Sequence, residues 1–297
     1  MGRLTSPMQD TNLTGIVRAY FGAYESENRA VAETLLADDF TFTSPNDDAI
    51  DRATYFERCW PQSDIARDQQ IEKIVNHART LGMTRMAVLY QDLAIGTSGW
   101  AVAEEAGKAD GKLQLSGVKS GTAAEALAAA AAEVAKLEPQ GVLVVGAPRF
   151  MADGVAALRK TGVSQSLFVL SYVPAGLLVK LAGPQGARGV GIAQTYPNPN
   201  GIVLPLQREF QAAMKASFPD VKQYTSFHLE GYLSARTVVE AMRRSKEKDI
   251  TPAAIQRALH AGGEYDFGGY RVDFSKGNVG SQWVDIGVVN HEGKLRY

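Results

Sequence analysis

Short apolar strands that alternate with helices constrain this sequence more than any other feature. Met86–Tyr90 and Gly141–Val145 are apolar runs of strand length, and each is followed by a helical pattern. Leu167–Leu170 and Val190–Gln194 repeat the arrangement further along the chain. Such runs between helices are typical of parallel strands that are buried on both faces. The sequence therefore predicts an α/β fold in which helices cover a mostly parallel sheet.

Apolar residues at helical spacing predict the helices of this part. They span residues 71–80, 98–107, 123–137, 151–160, 174–181, 204–218, 224–243 and 252–261. Thr251 is the predicted cap of the last helix, since a threonine oxygen accepts a hydrogen bond from a first-turn amide. Three β-like segments follow, at residues 270–272, 283–290 and 294–297.

The first 64 residues have a different pattern. A first helix is predicted to carry an apolar, mainly aromatic face, formed by Ile16, Tyr20, Phe21 and Tyr24. A second helix is predicted to begin at Asn28, with an inward face of Val31, Leu35 and Leu36. Phe40–Thr43 alternates with the period of a strand. Residues 44–48 are predicted to form a turn, and residues 51–60 a third helix that Pro61 ends.

Composition excludes several classes of protein. Lys and Arg total 31 against 32 Asp and Glu, so no basic excess points to nucleic acid. No apolar run reaches the roughly 18 residues of a membrane helix, so we expect no membrane insertion. Cys59 is the single cysteine, which excludes an intrachain disulfide, and we expect it to be a small core residue beside Trp60. Met1 to Asp10 has no apolar signal-peptide region, so a cytoplasmic location is expected for the sequence as written.

Sequence motifs for catalysis or metal binding are absent. The chain has no G-x-S-x-G, P-loop, H-E-x-x-H, C-x-x-C or G-x-G-x-x-G pattern. None of the four histidines has another histidine three or four positions away; they are His77, His228, His260 and His291. We therefore expect no cofactor, no metal and no catalysis.

The predicted strand ends offer a binding site without any motif. In an open α/β sheet, ligands bind outside the carboxyl ends of the strands. Polar groups, aromatic residues and glycine collect in the four loops that follow the predicted strands. From these strand ends we predict that Gln91, Asp92, Ser171 and Gln194 contact a small-molecule ligand.

From Ile71 onward the sequence resembles the periplasmic binding proteins of branched-chain amino acid ABC transporters. The similar stretches include IVNHARTLGMTRMAVLYQDLAIGTSG, GARGVGIAQTYPNP, YTSFHLEGYLSARTVVEAMRRS and YDFGGYRVDFSKGNVGSQWVDIGVV. The resemblance implies a type I periplasmic-binding-protein-like fold: two lobes around a ligand cleft. Lobe two would comprise residues 65–200 and 280–297, and a partial lobe one residues 201–279. It also implies a periplasmic family and an ABC transporter permease as a partner.

The same resemblance implies further ligand contacts. Ile95 stands where the family has an aromatic residue, and Ala147 and Pro148 match the loop after the second strand. The family's acid that binds an ammonium group would fall near Tyr172, which carries no charge at neutral pH. Since an unpaired buried cation is costly, leucine-like ligands are disfavoured. An aromatic or neutral small ligand fits no worse.

The first 60 residues resemble the start of a SnoaL-like, nuclear-transport-factor-like α+β domain, through IVRAYFGAYESENRAVAETLLADDFTFTSPNDDAIDRATYFERCW. The curved sheet that should follow is missing, as are the opening strands of lobe one. The chain is thus interpreted as a fusion near Asp64, with domains 1–64 and 65–297. Ligand binding without catalysis is the favoured function. The alternatives are a rearranged chain without ligand function and a SnoaL-like cyclase, isomerase or hydratase that uses Asp47 or Asp48.

Overall fold

The structure is a computed structural model of the chain. The residues it describes are 29–44, 47–58, 65–109, 111–277 and 279–297, together with Gly15, Ile16, Ala19, Tyr20 and Ala23. Buried apolar side chains in this part form three clusters, one around a large sheet, one among helices and one near the N-terminus. Cys59 and Trp60, like Asn28 and the predicted Phe21 and Tyr24 positions of the first helix, lie outside the described residues.

A seven-stranded sheet forms the centre of the largest cluster. Its strands are β3 (Arg85–Gln91), β4 (Gln114–Ser120), β5 (Gly141–Val145), β6 (Ser166–Val169), β7 (Gly191–Gln194), β10 (Asp285–Val289) and β11 (Leu295–Arg296). Their order across the sheet is β11-β10-β7-β6-β5-β3-β4. The five strands β4, β3, β5, β6 and β7 are parallel, and β10 pairs antiparallel with β7 and with β11. Every residue of β5 is buried, as its uninterrupted apolar sequence predicts.

Five helices cover this sheet. They are α3 (Ile65–Thr80), α4 (Ala94–Lys108), α5 (Ala124–Lys136), α6 (Pro148–Lys160) and α7 (Ala175–Ala187). Helices α3 and α4 pack together, whereas α5, α6 and α7 form a second packed layer. The chain leaves β3 toward β4 and then returns past β3 to β5, which puts the crossover helices α4 and α5 on opposite faces. The strand order therefore reverses between β3 and β5, which is the topological switch point of the sheet.

The second cluster is helical and rich in aromatic side chains. It contains α8 (Pro205–Ser217), α9 (Ser226–Arg244), α10 (Pro252–Ala261) and the short hairpin of β8 (Tyr265–Asp266) and β9 (Arg271–Val272). Thr251 caps α10 as predicted, because its Oγ1 accepts a hydrogen bond from the Ala254 amide at 3.1 Å. The hydroxyl of Tyr270 donates to the Thr195 carbonyl at 3.4 Å, which connects this cluster to the end of β7.

In the part of the chain that the structure describes, the members of the N-terminal cluster lie between residues 20 and 56. Its elements are α1 (Arg29–Leu35), the antiparallel hairpin of β1 (Thr41–Ser44) and β2 (Asp47–Asp51), and α2 (Arg52–Arg58). The predicted strand at 40–43 corresponds to β1, but the predicted turn at 44–48 is too long, since Asp47 and Asp48 already belong to β2. Val31 is exposed, and Ala32 is the buried residue of α1 instead.

Sequence reasoning missed β4 because it has no apolar run. Only Val118 and Ser120 of this edge strand are buried. Gly117 leaves room for the Trp100 ring, which a Cβ at this position would meet at 2.8 Å. The mixed α/β architecture, with its sheet of parallel and antiparallel strands, agrees with the predicted α/β fold class; the division into a complete lobe two and a partial lobe one stays a prediction.

Candidate functional site

The carboxyl ends of β3 and β5 meet at the topological switch point. The side chain of Gln91 is almost fully buried there, and its Oε1 accepts a hydrogen bond from the Ala147 amide at 2.7 Å. Gly146 allows this contact, because a Cβ at that position would lie 2.8 Å from Gln91 Oε1. The structure thus brings together two predicted site residues, Gln91 and Ala147, and the Gln91 side chain fixes the Ala147 backbone by a hydrogen bond.

Asp92, Ile95 and Pro148 surround this contact. Asp92 is exposed and forms an ion pair with Lys119, whose Nζ lies 3.2 Å from Asp92 Oδ1. Ile95 in the first turn of α4 is half-buried, and Pro148 begins α6 with an exposed side chain. The edge of the sheet at the switch point therefore presents one paired carboxylate and small apolar surfaces.

Two polar side chains of α3 reach the same edge, and sequence reasoning missed both. Gln70 is buried, and its Oε1 accepts a hydrogen bond from the Ser171 amide at 2.7 Å. Arg67 is also buried and donates from Nη1 to Ser98 Oγ at 2.9 Å. Residues 67, 70, 74 and 78 follow helical spacing, so extending the predicted helix upstream from Ile71 would have placed both side chains on its inner face.

A cavity of about 400 Å³ lies beyond the ends of β6 and β7. Its lining comes from the start of α7, from β7, from the loop 198–200, from the start of α9 and from the C-terminal hairpin; polar contributions include Ser171, Gln194, Asn198, Thr225 and Lys294. The volume falls within the range of small-molecule sites, about 300–1,000 Å³. Of the eight predicted site residues, only Ser171 and Gln194 line this cavity.

Hydrogen bonds hold the loop over this cavity in place. Asn200 Nδ2 donates to the Tyr224 carbonyl at 2.8 Å, and the Tyr224 amide donates back to Asn200 Oδ1 at 3.1 Å. The buried Gln207 side chain donates from Nε2 to the Asn198 carbonyl at 2.8 Å. These contacts attach the segment after β7 to the starts of α8 and α9, so the cavity wall is supported from two helices.

Gln194 places an available hydrogen-bond acceptor in the cavity. Its side chain is only 4% exposed, and Nε2 donates to the Ala193 carbonyl at 2.9 Å. Among the described residues, no donor reaches Gln194 Oε1. This oxygen is accessible to solvent, so a donor group of a bound molecule can take the place of water there. The arrangement therefore favours a bound molecule that offers a hydrogen-bond donor at this point.

The N-termini of two helices lie at the cavity and favour negative charge there. Residues 175–176 of α7 and residues 226–227 of α9 line it, and these are first-turn positions whose amides have no acceptor within the helix. Helix N-termini attract anions for this reason. Lys294 adds a cation, which pairs at 3.2 Å with Glu292, the one acidic side chain among the lining residues described for this cavity.

Three aromatic side chains of the helical cluster lie near one another where the chain leaves β7. The Tyr196 ring lies 5.7 Å from that of Tyr270, which in turn lies 6.1 Å from Trp283. Burial raises the pKa of both tyrosines, and the nearby carboxylate of Glu230 raises that of Tyr196 further. Both hydroxyl groups therefore stay protonated at neutral pH and can act as donors.

The remaining predicted contact, Tyr172, is half-buried and packs against the apolar cluster of the sheet. The ligand-contact roles predicted for the eight residues stay predictions.

Within the described residues, no three His, Cys, Asp or Glu side chains form a group that could hold a metal ion. No described helix combines the length and apolar character needed to cross a membrane.

Comparison with known proteins gives a match to a family and to solved structures. The family model for periplasmic binding proteins matches residues 14–294. An extracellular ligand-binding receptor from Verminephrobacter eiseniae is 56% identical, with a TM-score of 0.71 over 78% of this chain and 66% of that chain. A substrate-binding periplasmic protein from Ralstonia solanacearum is 29% identical, with a TM-score of 0.63 over 77% and 65% of the two chains. A comparison with curated proteins found no match.

More distant structures share the fold. A leucine-binding protein from Thermotoga maritima is 16% identical, with a TM-score of 0.62 over 78% of this chain and 64% of that chain. The chain thus spans no more than two thirds of the length of these solved relatives. The SnoaL-like resemblance and the fusion near Asp64 receive no support, and the family match begins at residue 14. The sheet, its strand-end site and these matches lead to one conclusion: the chain belongs to the periplasmic binding protein family.

Proposed function

We propose that the chain binds a small organic acid, without catalysis, as the solute-binding component of an ABC transporter. The observation that carries the proposal is Gln194, a residue that is 4% exposed, lines a cavity of about 400 Å³ and has a side-chain oxygen that no donor among the described residues reaches. Such an oxygen favours a ligand that carries a donor group.

The first turns of α7 and α9 support the proposal that the ligand is an acid. Residues 175–176 and 226–227 of these first turns line the same cavity as Gln194. A carboxylate bound there would accept hydrogen bonds from backbone amides and would be stabilised by both helix dipoles. The ligand would therefore place its carboxylate toward the helix starts and its donor toward Gln194.

The donor is best supplied by a hydroxyl or amide group. An ammonium group would need an acidic partner, and the acid that lines the cavity, Glu292, is already paired with Lys294. Tyr172 stands where the resemblance places the family's ammonium-binding acid. A hydroxy or amide-bearing acid is therefore favoured over a leucine-like amino acid.

Transfer of the bound solute to a membrane permease is the partner interaction that we propose. Family membership supports it, since the solved relatives are described as an extracellular ligand-binding receptor and a substrate-binding periplasmic protein. The cellular compartment of this chain stays a prediction.

Thermal denaturation in the presence of ligands tests the proposal. We expect hydroxy acids to raise the melting temperature, because a ligand that binds only the native state stabilises it. The panel pairs each acid with its neutral amide and includes leucine. If no member shifts the melting temperature at millimolar concentration, the proposal is wrong; if leucine gives the largest shift, the proposed ligand class is wrong.

A variant of Gln194 tests the site itself. Gln194→Leu removes the acceptor, and we expect about tenfold weaker binding of the best acid by titration calorimetry. Gln165→Leu changes an exposed glutamine to the same residue and serves as the control. Melting temperatures without ligand show whether either variant alters stability. Equal affinities for the two variants would place the ligand elsewhere.

A further inference from the structure

A short turn forms one end of the solute cavity. Residues 290–294 connect β10 to β11, and Glu292 and Lys294 of this turn line the cavity. Gln194, which also lines the cavity, pairs with Asp285 at the other end of β10. The cavity therefore extends along the sheet from Gln194 to this turn, which we call the charged turn.

Asn290 fixes the shape of the charged turn. Its Oδ1 accepts hydrogen bonds from the Glu292 amide at 3.0 Å and from the Lys294 amide at 2.9 Å. Gly293 has a φ of +73°, and a Cβ there would lie 2.8 Å from Val179 Cγ2, so the turn is seated closely on α7. Val179 lies about one helical turn, roughly 6 Å, after the first residue of α7. A ligand whose carboxylate lies at the start of α7 therefore has its far end within reach of the charged turn.

The charged turn carries one pair of opposite charges. Lys294 Nζ lies 3.2 Å from Glu292 Oε2, and both side chains are about half exposed. The hydrogen bond and the charge of Lys294 hold the pKa of Glu292 below its ordinary value, so this carboxylate stays ionised at neutral pH. Among the lining residues that the structure describes, these two side chains are the ones with a full charge. Since the pair is neutral as a whole, it leaves the helix N-termini as the positive groups of the cavity.

This balance of charge suits a ligand with one carboxylate. Two helix N-termini contribute about half a positive charge each, which a single carboxylate matches. A second carboxylate at the far end of the ligand would reach Lys294 only beside Glu292, and an ammonium group would reach Glu292 only beside Lys294. In both cases the like charge of the pair repels the incoming group.

We propose that Glu292 and Lys294 determine the specificity of the cavity: together they restrict it to acids with one carboxylate and an uncharged tail. This inference rests on the proposed function, because it requires an acid in the cavity. The apolar side chains of Ile192 and Leu295 also line the cavity and suit the methylene groups of such a tail.

A series of six-carbon 2-hydroxy acids tests the proposal, because its members differ only in the group at carbon 6. This group is a carboxylate in 2-hydroxyadipate, an amide in the 6-amide of the same acid, and an ammonium group in 6-amino-2-hydroxyhexanoate. Affinities for the full chain are measured by titration calorimetry. We expect the amide to bind about fivefold or more tightly than either charged acid.

Two variants should shift this preference in opposite directions. Glu292→Gln leaves Lys294 without its carboxylate, so the affinity for 2-hydroxyadipate relative to the amide should rise about fivefold. Lys294→Gln leaves Glu292 without its cation, so the relative affinity for the ammonium acid should rise instead. As a matched control, Glu247→Gln breaks an exposed ion pair with Arg257 away from the cavity and should change neither ratio. Melting temperatures without ligand show whether each variant folds.

The outcomes separate this inference from the proposed function. Opposite shifts of the two affinity ratios support the charged turn as the determinant. If the amide binds but neither ratio changes in the two variants, or if 2-hydroxyadipate binds the native chain most tightly, the charged turn does not select the ligand, and the proposed function stands. If no acid of any size binds the native chain or the variants, the proposed function is wrong, and this inference is wrong with it.

Discussion

The two large apolar clusters of this protein use similar helices in different surroundings. Around the seven-stranded sheet, helices pack on both faces, and the strand residues Val142 to Val145 are fully buried. Around α9, a single side is covered, and the buried side chains there include Phe210, Tyr265 and Tyr270. The first region is closed by aliphatic packing, whereas the second depends on aromatic residues and leaves an apolar face exposed.

This difference shows that an apolar helix face stabilises the fold by burial only when another element packs against it. Gly99 and Gly231 are both helix glycines, yet a Cβ at the first would meet Val145 of β5 at 2.5 Å and a Cβ at the second would meet nothing within 4 Å. Burial of apolar surface contributes about 25 cal/mol per Å², so a face without a partner contributes none of it. We therefore expect the helical cluster to be the less stable of the two regions.

The largest expected effects come from removing one buried side chain in each region. Phe210 is fully buried, and its ring lies 5.3 Å from Tyr224 and 5.4 Å from Tyr232. Phe210→Ala should lower the free energy of unfolding by about 3–5 kcal/mol, and Leu143→Ala in β5 by about 2–5 kcal/mol. Hydrogen exchange by peptide should show faster exchange in α8–α10 for the first variant and in β3–β6 for the second. Equal acceleration of both regions in both variants would mean that they unfold as one unit.

Alanine at two helix glycines should have opposite effects. At Gly99 the new methyl group meets Val145 at 2.5 Å and Ile71 at 3.3 Å, so Gly99→Ala should destabilise the chain by about 1–3 kcal/mol. At Gly231 the methyl group has free space, so Gly231→Ala should stabilise it by about 0.5–1 kcal/mol through helix propensity. Urea denaturation followed by circular dichroism measures both changes. Destabilisation by Gly231→Ala would show that the side of α9 that carries Gly231 is already covered.

Alkaline pH should affect the helical cluster through its tyrosines. Tyr232 donates from its hydroxyl to Glu209 Oε1 at 2.7 Å, and burial together with this carboxylate raises its pKa from 10.0 to about 12. A raised pKa means that the fold favours the protonated form. The resulting stability is fully present below pH 10, and it is lost as the pH rises from 10 toward about 12.

Tyr232→Phe removes this titrating group. We expect the variant to lose less stability than the native chain between pH 10 and 12, measured by urea denaturation at several pH values. Tyrosinate absorbance on the same samples reports the ionisation directly. Parallel losses of stability in both proteins would show that Tyr232 does not contribute to the alkaline transition.

Some parts of the fold could be predicted from the sequence because local pattern and final environment agree there. Gly141–Val145 is a strand with the predicted bounds, since five consecutive apolar residues fit only a strand that is buried on both faces. The same agreement holds for 252–261 and its Thr251 cap. By contrast, β4 could not be found, because an edge strand half exposed to solvent needs no apolar run.

The site shows the same limit. The rule that ligands bind at strand ends leads to Gln91 and Gln194 alike. The Oε1 of Gln91 accepts a hydrogen bond from the Ala147 amide, whereas Gln194 lines a cavity and no donor among the described residues reaches its Oε1. No sequence pattern distinguishes these two glutamines, since the difference arises from which backbone amide lies opposite each side chain.

By itself, the sequence determined the alternation of strands and helices, the resemblance to periplasmic binding proteins and the edge of the sheet where a ligand should bind. The alternation and the strand ends depend on residue periodicity, which acts along a single element, whereas the resemblance depends on the residues of particular stretches. The tertiary structure alone decided which polar atoms already have partners, where a cavity forms and which face of α9 is uncovered. Such properties depend on atoms that lie far apart in the chain, and each side chain acquires its partners only when the elements pack.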